Sequence, residues 1–166
     1  MLQRKVCMLG TLGVGKTSLV RRFVDSMFQD EYKTTVGVKI DKKVVRLERL
    51  EVTLMLWDIE GVDQFKDLHH SHLRGAAGYL LIVDGTRPKS LAHALEIERE
   101  ASTVLGNVPR TIAFNKSDLQ EQWTVPENEL DGLRSDGRIV MTTSAKTGDN
   151  VEAMFRDLAD RMTGHE

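Results

Sequence analysis

Apolar runs separated by amphipathic segments dominate the pattern of the chain. The runs 5–9, 78–83, 111–114 and 139–141 are almost uniformly apolar, which is typical of strands buried on both faces of a parallel sheet. The segment 38–57 differs, because two loosely alternating runs flank a short charged connection. That arrangement predicts an antiparallel hairpin.

Helical periodicity lies between the predicted strands. Apolar side chains recur at helical spacing after residue 18 and within 90–105, 127–134 and 150–162. Asn150 precedes the last of these stripes and is predicted to cap that helix at its N-terminus. Alternating strands and helices predict a three-layer α/β fold with a mainly parallel sheet. Without repeats or a linker, residues 1–166 are interpreted as one domain.

Composition narrows the class of protein. The chain has 166 residues, 40% hydrophobic and 29% charged, with a net charge of −2, which is typical of a globular protein and argues against a nucleic-acid binder. One cysteine excludes an internal disulfide framework. No apolar stretch is long enough for a membrane span, and the termini carry no signal-peptide or lipidation motif. We expect a cytoplasmic monomer without a membrane anchor of its own.

A glycine-rich stretch follows the first predicted strand. Residues 10–18 read G-x-x-x-x-G-K-T-S between a strand and a helix, the context in which backbone N–H groups surround phosphate oxygens. Lys16 is expected to reach the β- and γ-phosphates, and Thr17 to place its hydroxyl on Mg²⁺. The predicted phosphate-binding residues are Leu12, Gly13, Val14, Gly15, Lys16, Thr17 and Ser18.

Three further residues complete the predicted phosphate and metal site. Asp58 follows an apolar strand and can hold Mg²⁺, usually through water, beside Thr17. Gly61 allows its backbone N–H to approach a γ-phosphate oxygen. Thr35, in a polar loop, can complete the metal shell when a γ-phosphate is present.

Two strand ends carry residues suited to guanine. Asp118 can accept hydrogen bonds from the N1–H and 2-amino groups of guanine, a pair of donors that adenine lacks. Asn115 can tie the base loop to the phosphate loop, while the stem of Lys116 lies over the ring. In the segment Ser144-Ala145-Lys146, the Ala145 N–H can donate to guanine O6.

Together these motifs resemble the Ras superfamily of small GTPases, and within it the Rab branch. Residues 28–35 are similar to switch I, with Phe28 expected against guanine and Tyr32 and Thr35 at the family spacing. Residues 57–65 resemble the switch II signature W-D-T-A-G-Q-E-x-F. The resemblance implies a P-loop NTPase fold with six strands, one of them antiparallel, and a GTP/GDP- and Mg²⁺-dependent switch. Its two switch loops would contact effectors and regulators.

Switch II departs from the family at the position of the water-orienting glutamine, which is Val62. Leu12 adds bulk to the phosphate loop, and Glu60 places a carboxylate near a polyanion. Lys16, Thr35 and Gly61 remain the expected catalytic residues, with Glu60 a possible addition. Three interpretations stay open: very slow hydrolysis, water positioning by Glu60, Asp63 or Gln64, or a group supplied by a partner.

Two functional hypotheses follow. The first is a GTP-binding switch with slow or assisted hydrolysis. The second is a non-cycling protein that holds GTP or GDP and presents a constant surface to a partner. A histidine cluster at 69, 70 and 72 is interpreted as part of a solvated helix, with metal binding as its alternative.

Overall fold

The computed structural model describes residues 2–26, 38–59 and 70–164. Its strands are β1 Gln3–Leu9, β2 Val38–Arg46, β3 Glu51–Ile59, β4 Gly78–Asp84, β5 Arg110–Asn115 and β6 Val140–Thr142. Its helices are α1 Lys16–Asp25, α2 His70–Leu73, α3 Ser90–Leu105, α4 Glu127–Ser135 and α5 Val151–Thr163, with a short 3₁₀ turn at Gln120–Gln122. None of the helices in the described ranges is long and apolar enough to cross a membrane.

The strands form one sheet in the order β2-β3-β1-β4-β5-β6. The hairpin pair β2 and β3 is antiparallel, and every other neighbouring pair is parallel. The predicted six-stranded, mostly parallel sheet is therefore confirmed. Because β1, β3, β4, β5 and β6 run in the same direction, their carboxyl ends meet at one edge, where ligands of such sheets bind.

Two apolar layers cover the two faces of the sheet. One packs α1 and α5 against β1 and β3, and the other packs α3 and α4 against β4 and β5. Phe23 of α1 stacks on Phe155 of α5, with ring centroids 4.0 Å apart and planes 8° apart. Large stacked rings bury much apolar area, so this contact joins the first helix to the last.

Strand β6 departs from its predicted bounds, and Asn150 takes the predicted N-cap position of α5 without the expected hydrogen bond. Strand β6 begins one residue later than predicted, and Ile139 remains 43% exposed. Asn150 makes no capping hydrogen bond, because its backbone is left-handed (φ 59°) and its side-chain amide turns to the preceding strand. There Nδ2 donates to the Thr142 carbonyl at 2.8 Å, so Asn150 fixes the β6–α5 connection.

Candidate functional site

The glycine-rich loop lies between β1 and α1, at the carboxyl edge of the sheet. Gly13 (φ 78°) and Gly15 (φ 104°) have left-handed backbones that other residues rarely adopt. A Cβ at Gly15 would also overlap the side-chain amide of Asn115. Leu12 is 39% exposed, so its side chain points out of the loop. The glycines at 13 and 15 therefore allow the left-handed backbone of this loop and its close approach to Asn115 of β5.

Lys16 begins α1 and is buried beneath the loop. Its Nζ donates to the carbonyls of Gly10 and Thr11, each at 3.2 Å. Burial lowers the pKa of Lys16 to about 8, while the nearby negative charge of Asp58 acts in the opposite direction. An anionic ligand at the loop would favour the charged amine, so the loop holds a cation suited to phosphate.

Thr17, in the first turn of α1, contacts Asp58 near the end of β3. The Thr17 hydroxyl donates to Asp58 Oδ2 at 2.6 Å. Asp58 is nearly fully buried next to the end of β3, where it pairs with Met8 of β1. Hydroxyl and carboxylate oxygens are ligands that Mg²⁺ prefers, so this pair fits the expected cation.

Asn115, at the end of β5, joins three loops. Its Nδ2 donates to the Val14 carbonyl at 3.0 Å. Its Oδ1 accepts from the Thr143 hydroxyl and from the Ala145 N–H, both at 3.3 Å. The predicted tie between base loop and phosphate loop is therefore present as a direct hydrogen bond to the backbone.

The remaining predicted base-binding residues lie on the neighbouring loops. Ser144 donates from its hydroxyl to Asp118 Oδ1 at 2.7 Å, which leaves Asp118 Oδ2 for a second interaction. Lys116 has a left-handed backbone (φ 70°), and its Nζ lies 2.8 Å from Asp84 Oδ2. Lys146 is exposed. The structure thus brings both guanine motifs together beside the phosphate loop.

Sequence reasoning did not assign Arg22 to this site. From α1, its Nε donates to the Ala145 carbonyl at 2.8 Å, and its Nη2 donates to the Lys146 carbonyl. Arg22 thus holds the loop that was predicted to face guanine O6. Nothing in the local sequence distinguishes Arg22, because a polar residue on one face of a helix usually points into solvent.

Asp84 and Arg87 were also missed as site residues. Asp84 ends β4 and is fully buried. Burial raises its pKa, but hydrogen bonds from Lys116 and Thr86 outweigh burial and hold the pKa below its ordinary value. Arg87 Nε lies 3.4 Å from Asp84 Oδ2, and its Nη1 donates to the Leu12 carbonyl at 3.3 Å. One carboxylate therefore connects the base loop with the phosphate loop. Its sequence signal was the apolar strand that it ends, as at Asp58.

The Ras family model matches residues 5–164, nearly the whole length. The chain belongs to the Ras family. Members of the Ras family bind guanine nucleotides, typically with Mg²⁺, so the match supports a GTP-binding switch protein in general terms. The loops that carry the predicted phosphate and base residues lie within the matched range.

Other predictions for this Ras-family protein lie outside the described residues. They concern Phe28, Tyr32, Thr35, Glu60, Gly61 and Val62. His69 also lies outside. His70 Nε2 contacts Glu100 of α3, and the described part of the chain contains no group of three residues able to hold a metal.

Proposed function

We propose that this Ras-family protein is a Mg²⁺-dependent, Rab-like guanine-nucleotide switch that hydrolyses GTP slowly or with the help of a partner. The hydrogen bond from Asn115 to the Val14 carbonyl carries the proposal. It makes the phosphate loop and the base loops one site, at a spacing set by a single side chain. Effectors and regulators would contact the two switch segments, residues 28–35 and 57–65.

Base selection rests on Asp118. Ser144 orients this carboxylate through Oδ1, and a carboxylate accepts the two donors that guanine has and adenine lacks. The Ala145 N–H, on a loop held by Arg22, donates to Asn115 Oδ1 at 3.3 Å and would donate to guanine O6 when the nucleotide is bound. Discrimination then comes from charge-assisted hydrogen bonds.

Replacing Asp118 by Asn tests this assignment. One acceptor becomes a donor, so GDP affinity should fall about 100-fold, since hydrogen bonds to charged groups contribute ~1.5–3 kcal/mol each. Competition with a fluorescent GDP analogue measures the loss. Asp131→Asn on the exposed face of α4 is the matched control. Equal affinity of the parent protein for GDP and ADP would contradict guanine selection.

Thr17 and Asp58, with Thr35, are the residues that would hold the metal. When bound, Mg²⁺ supplies positive charge that neutralises the phosphate oxygens. The chain itself contributes Lys16, which keeps a buried amine at the loop, and the backbone N–H groups of 13–17 at the start of α1. These groups bind and orient the phosphates before any bond is broken.

Hydrolysis is expected to be slow because Val62 cannot orient water. Single-turnover hydrolysis should be at least about tenfold faster in Val62→Gln than in the parent protein. A Val62→Ala variant controls for the change in bulk. Equal rates in the parent and Val62→Gln would show that another group, from Glu60, Asp63, Gln64 or a partner, already positions the water.

The alternative is a non-cycling protein that holds one nucleotide permanently, which the sequence at Glu60 and Val62 favours. Trp57 in β3 offers a probe, because it is the first residue of the segment 57–65 that resembles switch II. Its ring also lies close to a charge, with Lys5 Nζ 3.5 Å from the ring centroid. A switch would give different tryptophan fluorescence with GDP and with a non-hydrolysable GTP analogue. Identical spectra together with absent turnover would favour the alternative.

A further inference from the structure

A cavity opens at the edge of the sheet opposite the nucleotide loops, where β5 and β6 begin. It has a volume of about 590 Å³ and lies between α3, α5 and the connections that lead into the two strands. Its charged lining consists of Arg110, Arg138, Arg161, Glu98 and Asp136. The length of β5 separates this cavity from the nucleotide loops, so the proposed switch function does not use it.

Two of these arginines share one carboxylate. Glu98 is buried, and Arg138 Nη1 lies 2.7 Å from both of its oxygens. Arg110 Nε lies 3.2 Å from Glu98 Oε2. Two guanidinium charges therefore meet one buried carboxylate, and a positive charge remains without a balancing carboxylate in the triad. Partly buried charge of this kind is stabilised by a further anion.

The other charged groups of the lining form no ion pair with Arg110 or Arg138 in the described ranges. Arg161 is engaged elsewhere, since its Nε donates to Asp157 Oδ2 at 2.9 Å and its Nη1 donates to the Arg110 carbonyl at 3.0 Å. Asp136 is exposed, and no ion pair involves it in the described ranges. An anion would therefore bind against Arg110 and Arg138, the two guanidinium groups that share Glu98.

Tyr79 adds a second observation at the same place. It is fully buried, and the guanidinium carbon of Arg110 lies 6.0 Å from its ring centroid. Within the described part of the chain, no acceptor for its hydroxyl proton is in place; burial raises the pKa of Tyr79, and the neighbouring Arg110 guanidinium acts in the opposite direction. Buried hydroxyls are rarely left without an acceptor, so Tyr79 holds an unsatisfied donor beside Arg110, next to the lining of the cavity.

We propose that Arg110 and Arg138 form a binding site for a small phosphorylated molecule. The planar fork of an arginine matches the spacing of phosphate oxygens, and both side chains remain about one-third exposed beside the cavity. Apolar residues border the same space and give room for a carbon skeleton. They are Val108, Pro109, Ile112 and Ile139.

Phenyl phosphate and inorganic phosphate are the probes. Each is titrated into the protein in excess GDP and Mg²⁺, which keeps the phosphate loop filled, while NMR follows the Nε–H signals of Arg110 and Arg138. We expect saturable shifts of both signals, with phenyl phosphate bound more tightly than inorganic phosphate. Arg138→Ala should weaken binding about tenfold or more, measured on Arg110. Arg134→Ala, on the exposed face of nearby α4, should leave it unchanged.

The proposal would be overturned by the absence of a saturable shift, by an unchanged affinity in Arg138→Ala, or by inorganic phosphate binding as tightly as phenyl phosphate. Phenylacetate binding as tightly as phenyl phosphate would also overturn it, because a carboxylate would then be the preferred ligand. If Arg138→Ala does not fold, Arg138→Lys keeps a charge for Glu98 and removes the fork, so the same loss is expected. Because these signals are local, the outcome is independent of nucleotide binding at the phosphate loop.

Discussion

The phosphate side and the base side of the nucleotide site are built in different ways. On the phosphate side, neighbours in the sequence hold one another, as Lys16 does with the carbonyls of Gly10 and Thr11. On the base side, the loops are held from a distance by Arg22 and Asp84. Local backbone contacts therefore position Lys16, and Asn115 and Arg87 add long-range contacts to the carbonyls of the phosphate loop, whereas the base loops are held mainly by the distant Arg22 and Asp84.

Gly15→Ala should have the largest effect, because Gly15 is where the two sides touch. The new Cβ would meet a left-handed backbone and the amide of Asn115. We expect a loss of about 2–4 kcal/mol in the free energy of unfolding, measured by denaturant titration. Gly132→Ala is the matched control, since a Cβ there meets nothing within 4 Å. It lies inside α4 and should gain about 0.5–1 kcal/mol. Similar results for the two variants would contradict the crowding at Gly15.

A pH series examines the phosphate side alone. The free protein has a Lys16 pKa of about 8, and bound phosphate favours the charged amine. Binding then takes up a proton once the pH exceeds 8, so GDP affinity should fall by up to about tenfold per pH unit between pH 8 and 9. Lys16→Met lacks the amine and reports the ligand's own titration. Parallel slopes in the two proteins would contradict this role of Lys16.

Arg22→Ala examines the base side alone and should have the smallest effect. Loss of the hydrogen bonds to the carbonyls of Ala145 and Lys146 loosens the base loop without touching the phosphate loop. GDP dissociation should become about threefold to tenfold faster, as followed with a fluorescent analogue. Arg156→Ala, at an exposed position of α5, is the control. An unchanged dissociation rate would mean that the loop carrying Ala145 keeps its conformation without Arg22.

The same contrast explains what the sequence could predict. Lys16 and Thr17 were found because a contiguous motif carries its own geometry, and the strand ends at Asp58 and Asn115 were found because apolar runs mark them. Arg22 could not be found, because its acceptors lie more than 120 positions away and are backbone atoms. Asn150 takes the predicted N-cap position, but its missing capping hydrogen bond could not be foreseen, because the Thr142 carbonyl that accepts from Nδ2 orients the side chain.

The stacking of Phe23 on Phe155 has a consequence for folding during protein synthesis. Domains fold as units during synthesis. Phe23 of α1 can stack on Phe155 only after residue 155 has been translated. Arg22 likewise waits for the carbonyl of Ala145. The pocket therefore stays incomplete until residue 155 has been synthesised, and we expect stable nucleotide binding only after that point.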